Sequence, residues 1–359
     1  MISTSAFGQN APLTHHSKSH TNPMNAYWPA PDAWQQALRT AITDPAELLS
    51  TLELPLSMAD ADAHSSFELR VPRALVARME PGNPLDPLLL QVLPSAREMT
   101  AVPGFSTDPL AENDANPSPG LVHKYRDRVL LITSGGCAIN CRYCFRRHFP
   151  YQQNQLGPAQ WQKALEYIDS HQELSEAILS GGDPLVTPDS RLARMIADLS
   201  DIAHLKRVRI HTRLPVVIPE RVTQELTEAM TGTRLKPVMV LHCNHPQEID
   251  DSVRSAIMRL RDAGITVLNQ AVLLRGINDS VEAQKALSET LFEVGVLPYY
   301  LFVLDPVAGA AHFDISDAQA QRLVGELQAR LPGYLVPRLA REIPGRPSKT
   351  LLSPDQTDV

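Results

Sequence analysis

The feature that most constrains the fold of this chain is a regular alternation of apolar and amphipathic segments from residue 128 onward. Amphipathic segments with helical spacing lie at 157–171, 188–202, 219–230, 250–264, 280–295 and 317–331. The apolar segments are predicted to be strands: RVLLIT (128–133), EAILS (176–180), RVRIHTR (207–213), PVMVLHC (237–243), TVLNQAVLL (266–274) and YYLFVLD (299–305). Repeated strand–helix units favour parallel strands joined by right-handed crossovers. Six units are fewer than the eight of a closed barrel, so the sequence predicts an α/β fold, a partial (β/α)6 barrel of the TIM type.

The remaining parts of the chain are predicted to be a tail, a covering region and a C-terminal segment. Residues 1–25 are polar and predict a disordered tail. Residues 26–121 predict a helical N-terminal extension with irregular, proline-rich stretches, in which one helix begins at Pro45. The barrel core is then 122–335, and residues 336–359 form the C-terminal segment.

The composition indicates a folded protein and argues against two kinds of partner. Hydrophobic residues make up 43% of the 359 residues, which is enough for a sizeable core. A net charge of −7 argues against a nucleic-acid partner, because nucleic-acid-binding surfaces are basic. We see no signal peptide and no stretch of membrane-spanning length, so we expect no membrane association. Four cysteines, three of them clustered, do not resemble a disulfide framework, and a cytoplasmic location is expected.

The clustered cysteines lie in GGCAINCRYCFRRHF (135–149), directly after the first predicted strand. Cys137, Cys141 and Cys144 have the spacing C-x3-C-x2-C. Cysteine thiolates are the usual ligands of iron–sulfur clusters, and three ligands on a four-iron cluster leave one iron open to an outside molecule. The alternatives are a zinc site completed by His148 or Cys243, or inert buried thiols. Zinc sites normally show two C-x2-C pairs, whereas one is present here, so a [4Fe–4S] cluster is favoured.

This cysteine spacing, at the end of the first strand of a six-fold barrel, resembles the radical S-adenosylmethionine superfamily. In that superfamily the open iron binds S-adenosylmethionine, and the cluster, reduced by an electron donor, splits it to release a 5′-deoxyadenosyl radical. LSGGDPL (179–185) resembles the glycine-rich stretch after the second strand, where side chains would obstruct the methionyl group. The resemblance implies these residues for cofactor binding: Tyr143, Ser180, Gly181, Gly182 and Asp183.

A narrower resemblance, over about residues 122–351, is to the lysine 2,3-aminomutase family. It is carried in order by CRYCFRR, LSGGDPL, RLPVVIPERV, HCNHPQEI, NQAVLLRGIND, YYLFVLDPVAGAAHF and GRPSKT. The segment WQQALRTAITDPAELLSTLEL and the short C-terminus resemble the branch that makes (R)-β-lysine for elongation factor P, beside a separate ligase. The resemblance implies an isomerase that converts L-α-lysine to β-lysine, with pyridoxal 5′-phosphate as a further cofactor.

The resemblance also implies a pyridoxal site. Lys349 in GRPSKT occupies the family position that holds the aldehyde between turnovers. Arg128, Arg213 and Lys124 are the cations implied for the phosphate. Lys124 stands where the long aminomutases carry arginine, which keeps the charge and loses the fork geometry. From the residues alone, each of these cations could instead be a solvated surface residue.

The two ends of the lysine substrate require opposite charges. Arg146 matches the family residue that pairs with the α-carboxylate, whereas Arg147 could be a solvated neighbour. Asp305 and Glu342 match the two acids that bind the ε-ammonium, with Glu342 where longer members carry aspartate. His242 and Gln270 are expected in the pocket.

Three rival interpretations remain open. The first is a glutamate 2,3-aminomutase, which neutral or basic residues at the two acidic positions would have favoured. The second is a non-catalytic iron–sulfur protein, which would lack the pyridoxal lysine and a closed pocket. The third is a zinc-stabilised binding module.

Overall fold

The computed structural model describes residues 27–112 and 115–354, so the predicted tail at 1–25 lies outside the described residues. The α-helices in that part of the chain are α1 (Ala33–Arg39), α2 (Pro45–Thr51), α3 (Ala61–Ser66), α4 (Arg73–Val76), α5 (Pro158–Ser170), α6 (Asp189–Ser200), α7 (Leu214–Val217), α8 (Gln224–Thr231), α9 (Asp251–Asp262), α10 (Val281–Glu293) and α11 (Asp317–Arg330). The strands are β1 (Leu121–Tyr125), β2 (Arg128–Ser134), β3 (Glu176–Gly181), β4 (Arg207–Thr212), β5 (Lys236–His242), β6 (Thr266–Leu273), β7 (Leu297–Val303), β8 (Arg338–Arg341) and β9 (Thr350–Leu351).

These strands form one sheet in which the spatial order follows the chain order from β1 to β9. Strands β2 to β8 are parallel, and β1 and β9 add antiparallel edges. The six predicted strands are confirmed as β2 to β7, and so is the predicted partial barrel. Strand β8 adds a seventh parallel strand from the predicted C-terminal segment, and the predicted boundary between 121 and 122 falls inside β1.

The alternation within the strands determines which side chains face the barrel interior. In β4, Val208 and Ile210 are fully buried in the hydrophobic core, whereas Arg209 and His211 line the interior cavity. In β6, Ala271 belongs to the same core, whereas its neighbours Gln270 and Val272 also line that cavity. Because successive side chains on a strand point to opposite faces, one face packs against helices and the other forms the cavity wall.

The N-terminal extension packs against this core. Helix α2 begins at Pro45 as predicted, and Asp44 caps it by accepting a hydrogen bond from the Ala46 amide. Trp34 of α1 is buried, with the Arg221 guanidinium 4.4 Å from its ring centroid. The extension therefore shares an apolar core with the barrel. Among the described residues, no helix has both the length and the apolar character needed to cross a membrane.

Candidate active site

A cavity of about 770 Å³ lies inside the curved sheet and at the carboxyl ends of its strands. Parallel barrels place their functional residues at this end, because the loops that follow the strands converge there. Each residue that the sequence predicted for the site lines this cavity, from the cysteines after β2 to Lys349 before β9. The topology thus brings together residues that lie more than 200 positions apart in the chain.

The three cysteines form one end of the site, and their thiols are free. Burial, followed by the neighbouring Cys144 and Asp183, raises the pKa of Cys137 well above its ordinary value. Burial and Cys141 raise the pKa of Cys144 to about 11. Crowded, buried thiols ionise readily only when a cation is beside them, and a metal cluster supplies that charge. The donor set therefore fits an iron–sulfur cluster.

The residues suggested for a fourth zinc ligand have other partners. His148 is exposed and hydrogen bonds to the Ala308 carbonyl through Nε2, 3.1 Å away. Cys243 is buried in the core and donates to the His245 carbonyl. Over residues 27–112 and 115–354, no three His, Cys, Asp or Glu side chains are grouped so that they could hold a single metal ion. The zinc interpretation has no fourth ligand at either suggested residue.

The glycine-rich stretch after β3 packs directly against the cysteine loop. Gly181 has φ of +129°, and a Cβ atom there would lie 2.3 Å from the Ser134 carbonyl oxygen. A Cβ atom on Gly182 would lie 2.3 Å from the Gly136 carbonyl oxygen. The sequence interpretation linked these glycines to an outside molecule. In the structure they are required by close approach of the protein's own backbone beside Cys137.

Asp183 is directed into the protein. Its carboxylate accepts hydrogen bonds from the Thr212 hydroxyl and from the amides of Leu185 and Arg213, at 2.7–3.0 Å. Burial raises its pKa to about 6, although these hydrogen bonds oppose the shift. Asp183 therefore fastens the end of β3 to the end of β4.

Arg213 is also committed to protein partners, although the sequence interpretation assigned it to a phosphate. Its guanidinium donates to a Glu248 carboxylate oxygen at 2.8 Å, and also to Gln91. The other terminal nitrogen contacts Cys141 Sγ at 2.8 Å and the Tyr143 hydroxyl at 2.7 Å. The buried Glu248 carboxylate draws the guanidinium towards the cysteine loop, so in this structure Arg213 supports that loop.

A second group of charges surrounds Lys349. The Lys349 ammonium donates to Glu342 Oε2 at 2.7 Å, and Lys124 donates to Glu342 Oε1 at 2.9 Å. Burial opposes ionisation of Glu342, but Lys349 and Lys124 outweigh it and lower its pKa to about 2. Lys349 also lies 4.9 Å from the ring centroid of Phe302 and 5.7 Å from that of Tyr125. An amine, cations and aromatic faces in one pocket fit a phosphorylated aromatic aldehyde.

Asp305 follows β7 and lines the same cavity. Burial and the negative charge of Glu342 raise its pKa to about 7, against the opposing effect of Lys349 and Lys124. The Glu342 charge makes ionisation of Asp305 costly, and a cationic ligand beside Asp305 would relieve that cost.

Arg128, the other cation implied for a phosphate, lies at the start of β2. Its guanidinium donates to Asp127 at 2.6 Å and lies 4.3 Å from the centroid of the Tyr125 ring. A quarter of its side-chain surface is exposed, against 4% for Arg213, so Arg128 is the more accessible of the two to a ligand.

Arg146 is buried and fully engaged. Its Nε and Nη2 donate to the two carboxylate oxygens of Glu112 at 2.7 and 2.8 Å, and Nη1 donates to Ser180 and to the Gly181 carbonyl. Glu112 also lies 3.6 Å from the Lys124 ammonium. The predicted carboxylate-binding fork is therefore filled by a carboxylate of the protein.

His242 and Gln270 are neighbours in the cavity wall, 2.8 Å apart between their Nε2 atoms. Burial, together with Arg213 and Arg146, lowers the pKa of His242 to about 3. The imidazole is therefore neutral near pH 7, and it accepts the hydrogen bond that the Gln270 amide donates.

Sequence reasoning missed several residues that line this cavity: Glu112, Tyr125, His211 and Phe302. His211 could have been found from the alternation of its strand, since it lies two residues before the assigned Arg213, and Phe302 lies in the strand that leads to Asp305, three residues before it. Glu112 gave no such signal, because it lies in an irregular proline-rich region.

Comparison with known proteins agrees with this arrangement. Residues 131–284 match the family described as the Radical SAM superfamily. The chain is 52% identical over 320 residues to the L-lysine 2,3-aminomutase of Haemophilus influenzae, covering 89% of this chain and 95% of the relative. It is 51% identical over 327 residues to the L-lysine 2,3-aminomutase of Escherichia coli, covering 90% of this chain and 95% of the relative. It is 35% identical over 326 residues to that of Clostridium subterminale, covering 90% and 78%.

The matches to the three relatives cover 89–90% of this chain, so they extend well beyond residues 131–284. Aminomutases are isomerases, so the prediction of an isomerase is confirmed. Superfamily membership implies a [4Fe–4S] cluster and S-adenosylmethionine. The chain belongs to the L-lysine 2,3-aminomutase family of radical S-adenosylmethionine enzymes.

Proposed function

We propose that this protein is a pyridoxal phosphate-dependent L-lysine 2,3-aminomutase, which moves the amino group of L-α-lysine from C2 to C3. The observation that carries the proposal is that one cavity holds both the three thiols and the Lys349–Glu342–Asp305 group. The relatives named L-lysine 2,3-aminomutase, at 52% and 51% identity, support it.

The protein's own residues then have distinct tasks. Cys137, Cys141 and Cys144 would hold the cluster. When bound, the cluster and S-adenosylmethionine supply a carbon radical for the unactivated C3 hydrogen, and pyridoxal phosphate stabilises an unpaired electron next to the migrating nitrogen. Lys349 would hold the aldehyde, and Lys124 and Arg128, which line the same cavity, would be the cations for the phosphate.

The charged residues orient the substrate. Arg146 would bind the α-carboxylate, while Asp305 and Glu342 would bind the ε-ammonium. Fixing both ends of a flexible chain places C3 at one position, and such positioning accounts for much of an enzyme's rate enhancement. The acidic pair also argues against glutamate as substrate, because a second carboxylate would meet two like charges.

The decisive experiment uses protein purified without oxygen, with its cluster rebuilt. It is given L-lysine, S-adenosylmethionine, pyridoxal phosphate and dithionite, and the products are separated by chiral chromatography. We expect β-lysine from the wild type and from Lys285→Ala, a control in an exposed ion pair on α10, and none from Lys349→Ala. Cleavage of S-adenosylmethionine without β-lysine would overturn the substrate assignment and leave the radical chemistry standing.

Borohydride reduction after addition of pyridoxal phosphate tests the cofactor separately. Reduction should leave a stable pyridoxyl group on the lysine that held the aldehyde. We expect this pyridoxyl group on a peptide containing Lys349 in the wild type and its absence in Lys349→Ala. Absence of any label would favour an iron–sulfur protein without pyridoxal chemistry.

We further propose that this protein is cytoplasmic, that its product is (R)-β-lysine and that a separate ligase attaches the product to elongation factor P. This finer proposal rests on the resemblance of residues 34–54 to one branch of the family. Chiral chromatography tests the enantiomer, and transfer of labelled product to elongation factor P by the ligase tests the partner.

A further inference from the structure

The Arg146–Glu112 ion pair is buried, and both of its residues line the cavity of the candidate site. Both side chains are about 95% buried, and two of the guanidinium nitrogens donate to the two oxygens of one carboxylate. The remaining terminal nitrogen is held by Ser180 and Gly181. This is the bidentate geometry with which an arginine recognises a carboxylate ligand.

In this structure the Arg146 guanidinium that would bind the substrate's carboxylate is already paired with Glu112. Two carboxylates on the same edge of one guanidinium would repel each other at close range, where the low dielectric of a buried site strengthens the repulsion. The α-carboxylate gains full bidentate contact with Arg146 only if Glu112 withdraws. Lys124 offers a second partner: its ammonium pairs with Glu342 at 2.9 Å, lies 3.6 Å from Glu112, and has three N–H donors, so it can hold more than one acceptor.

The segment that carries Glu112 is connected to the opposite end of the substrate site. The Ser106 amide donates to the Pro306 carbonyl at 2.9 Å, and the Ala308 amide donates to the Ser106 carbonyl at 2.8 Å. These bonds attach the segment to the residues directly after Asp305. The Glu112 amide in turn donates to the Asp108 side chain at 3.0 Å, which fixes the local turn.

Building on the proposed function, we propose that Glu112 is a positioning residue that holds Arg146 in the free enzyme and competes with the substrate's α-carboxylate for it. Binding of lysine then exchanges one carboxylate for another, and Glu112 moves to Lys124. The exchange keeps Arg146 paired in both states, so a buried guanidinium is never left without a partner. Its cost is a lower apparent affinity for any ligand that carries an α-carboxylate.

The test is a titration without S-adenosylmethionine, so that no turnover occurs. Protein loaded with cluster and pyridoxal phosphate is titrated with L-lysine or with cadaverine, the same diamine without the carboxylate, and the pyridoxal absorbance is followed. If Glu112 occupies Arg146 in about nine molecules of ten, Glu112→Gln lowers the Kd for L-lysine about tenfold. The Kd for cadaverine stays the same or rises, because a nearby negative charge is lost.

Glu112→Asp supplies a second variant that keeps the charge and shortens the reach. We expect a smaller decrease in the Kd for L-lysine than in Glu112→Gln, again without tighter binding of cadaverine. If either variant binds both ligands more weakly, or shifts both alike, Glu112 only supports the structure and the inference is overturned. If the wild type responds to neither ligand, the proposed function fails, and this inference fails with it.

Discussion

Glu98 and Glu342 each hold two cations, and the difference between these two carboxylates separates scaffold from site. Glu98 pairs with Arg142 at 2.5 Å and Arg147 at 2.9 Å, and the three side chains are at most 2% exposed. Glu342 pairs with Lys124 and Lys349, and those side chains are 15–22% exposed. The first group we call the Glu98 cluster and the second the Glu342 cluster.

The choice of cation matches the two roles. Arginine presents a rigid fork that fixes a carboxylate in one geometry, whereas lysine is a flexible point charge that exchanges partners easily. Both arginines of the Glu98 cluster also lie over the Phe67 ring, at 4.6 and 4.9 Å from its centroid. The Glu98 cluster therefore joins the N-terminal extension to the cysteine loop in a buried, rigid arrangement, whereas the partly exposed lysines of the Glu342 cluster fit a site that receives a ligand.

The largest effect on stability is expected at the Glu98 cluster. Glu98→Ala leaves two buried guanidinium groups without their carboxylate, and breaking a buried ion pair in this way costs about 3–5 kcal/mol. The measurement is the free energy of unfolding in urea, on protein without its cofactors. If Glu98→Ala and Glu342→Gln lowered the free energy of unfolding by similar amounts, the distinction between the two clusters would be lost.

The Glu342 cluster should respond in binding more than in stability. Glu342→Gln removes one of the two charged partners proposed for the ε-ammonium. A hydrogen bond to a charged group contributes about 1.5–3 kcal/mol, so the Kd for L-lysine should rise about 10- to 100-fold. Titration of the pyridoxal absorbance measures it. Glu98→Gln, if folded, is the matched control. An unchanged Kd would show that Glu342 serves Lys349 and not the substrate.

The pH dependence of stability should reveal Asp305. Its pKa is about 7 in the folded protein against an ordinary value of 3.8. Between these values the folded chain keeps a proton that the unfolded chain has lost, so the contribution of Asp305 to the free energy of unfolding falls as pH rises, and levels off above about pH 7.

Asp305→Asn removes this contribution. Urea unfolding at several pH values between 4 and 8 should therefore show a smaller decline in the variant than in the wild type. Identical slopes would mean that Asp305 is ionised throughout, with its charge already balanced by Lys349 and Lys124.

The smallest effect is expected at the surface pair Lys285–Glu289 on α10. Both side chains are about 40% exposed, and solvated pairs at this spacing contribute about 0.3–0.5 kcal/mol. Lys285→Ala should therefore leave urea unfolding and lysine binding nearly unchanged. A larger loss would show that exposure is a poor guide to which ion pairs matter in this fold.

Sequence reasoning identified the parts of the fold that repeat along the chain or have a specific residue spacing. The six central strands and the three cysteines belong to this class. It missed β8 because RLAR has four residues and two charges, so no apolar run marks it, and its pairing depends on β7, far away in the chain. The pattern of β1 was likewise too short.

In the site, residue types were easier to foresee than their partners. Arg147 could have been a solvated neighbour, but its side chain is 2% exposed and contacts Glu98, 49 positions earlier. Arg213 was assigned to a phosphate, yet it is held by Gln91 and Glu248. A single sequence identifies a cationic side chain, but only the tertiary structure determines which carboxylate it pairs with.

The position of Lys349 and Glu342 on the β8–β9 hairpin has a consequence for biosynthesis. This hairpin pairs with β7, so it joins a sheet whose other strands come earlier in the chain. A nascent chain folded as far as β7 already has the cysteine loop, Arg146 and Asp305, but neither Glu342 nor Lys349. Because chains emerge from the ribosome in order, the half of the site that carries the cysteines can mature before the half proposed to bind the aldehyde exists.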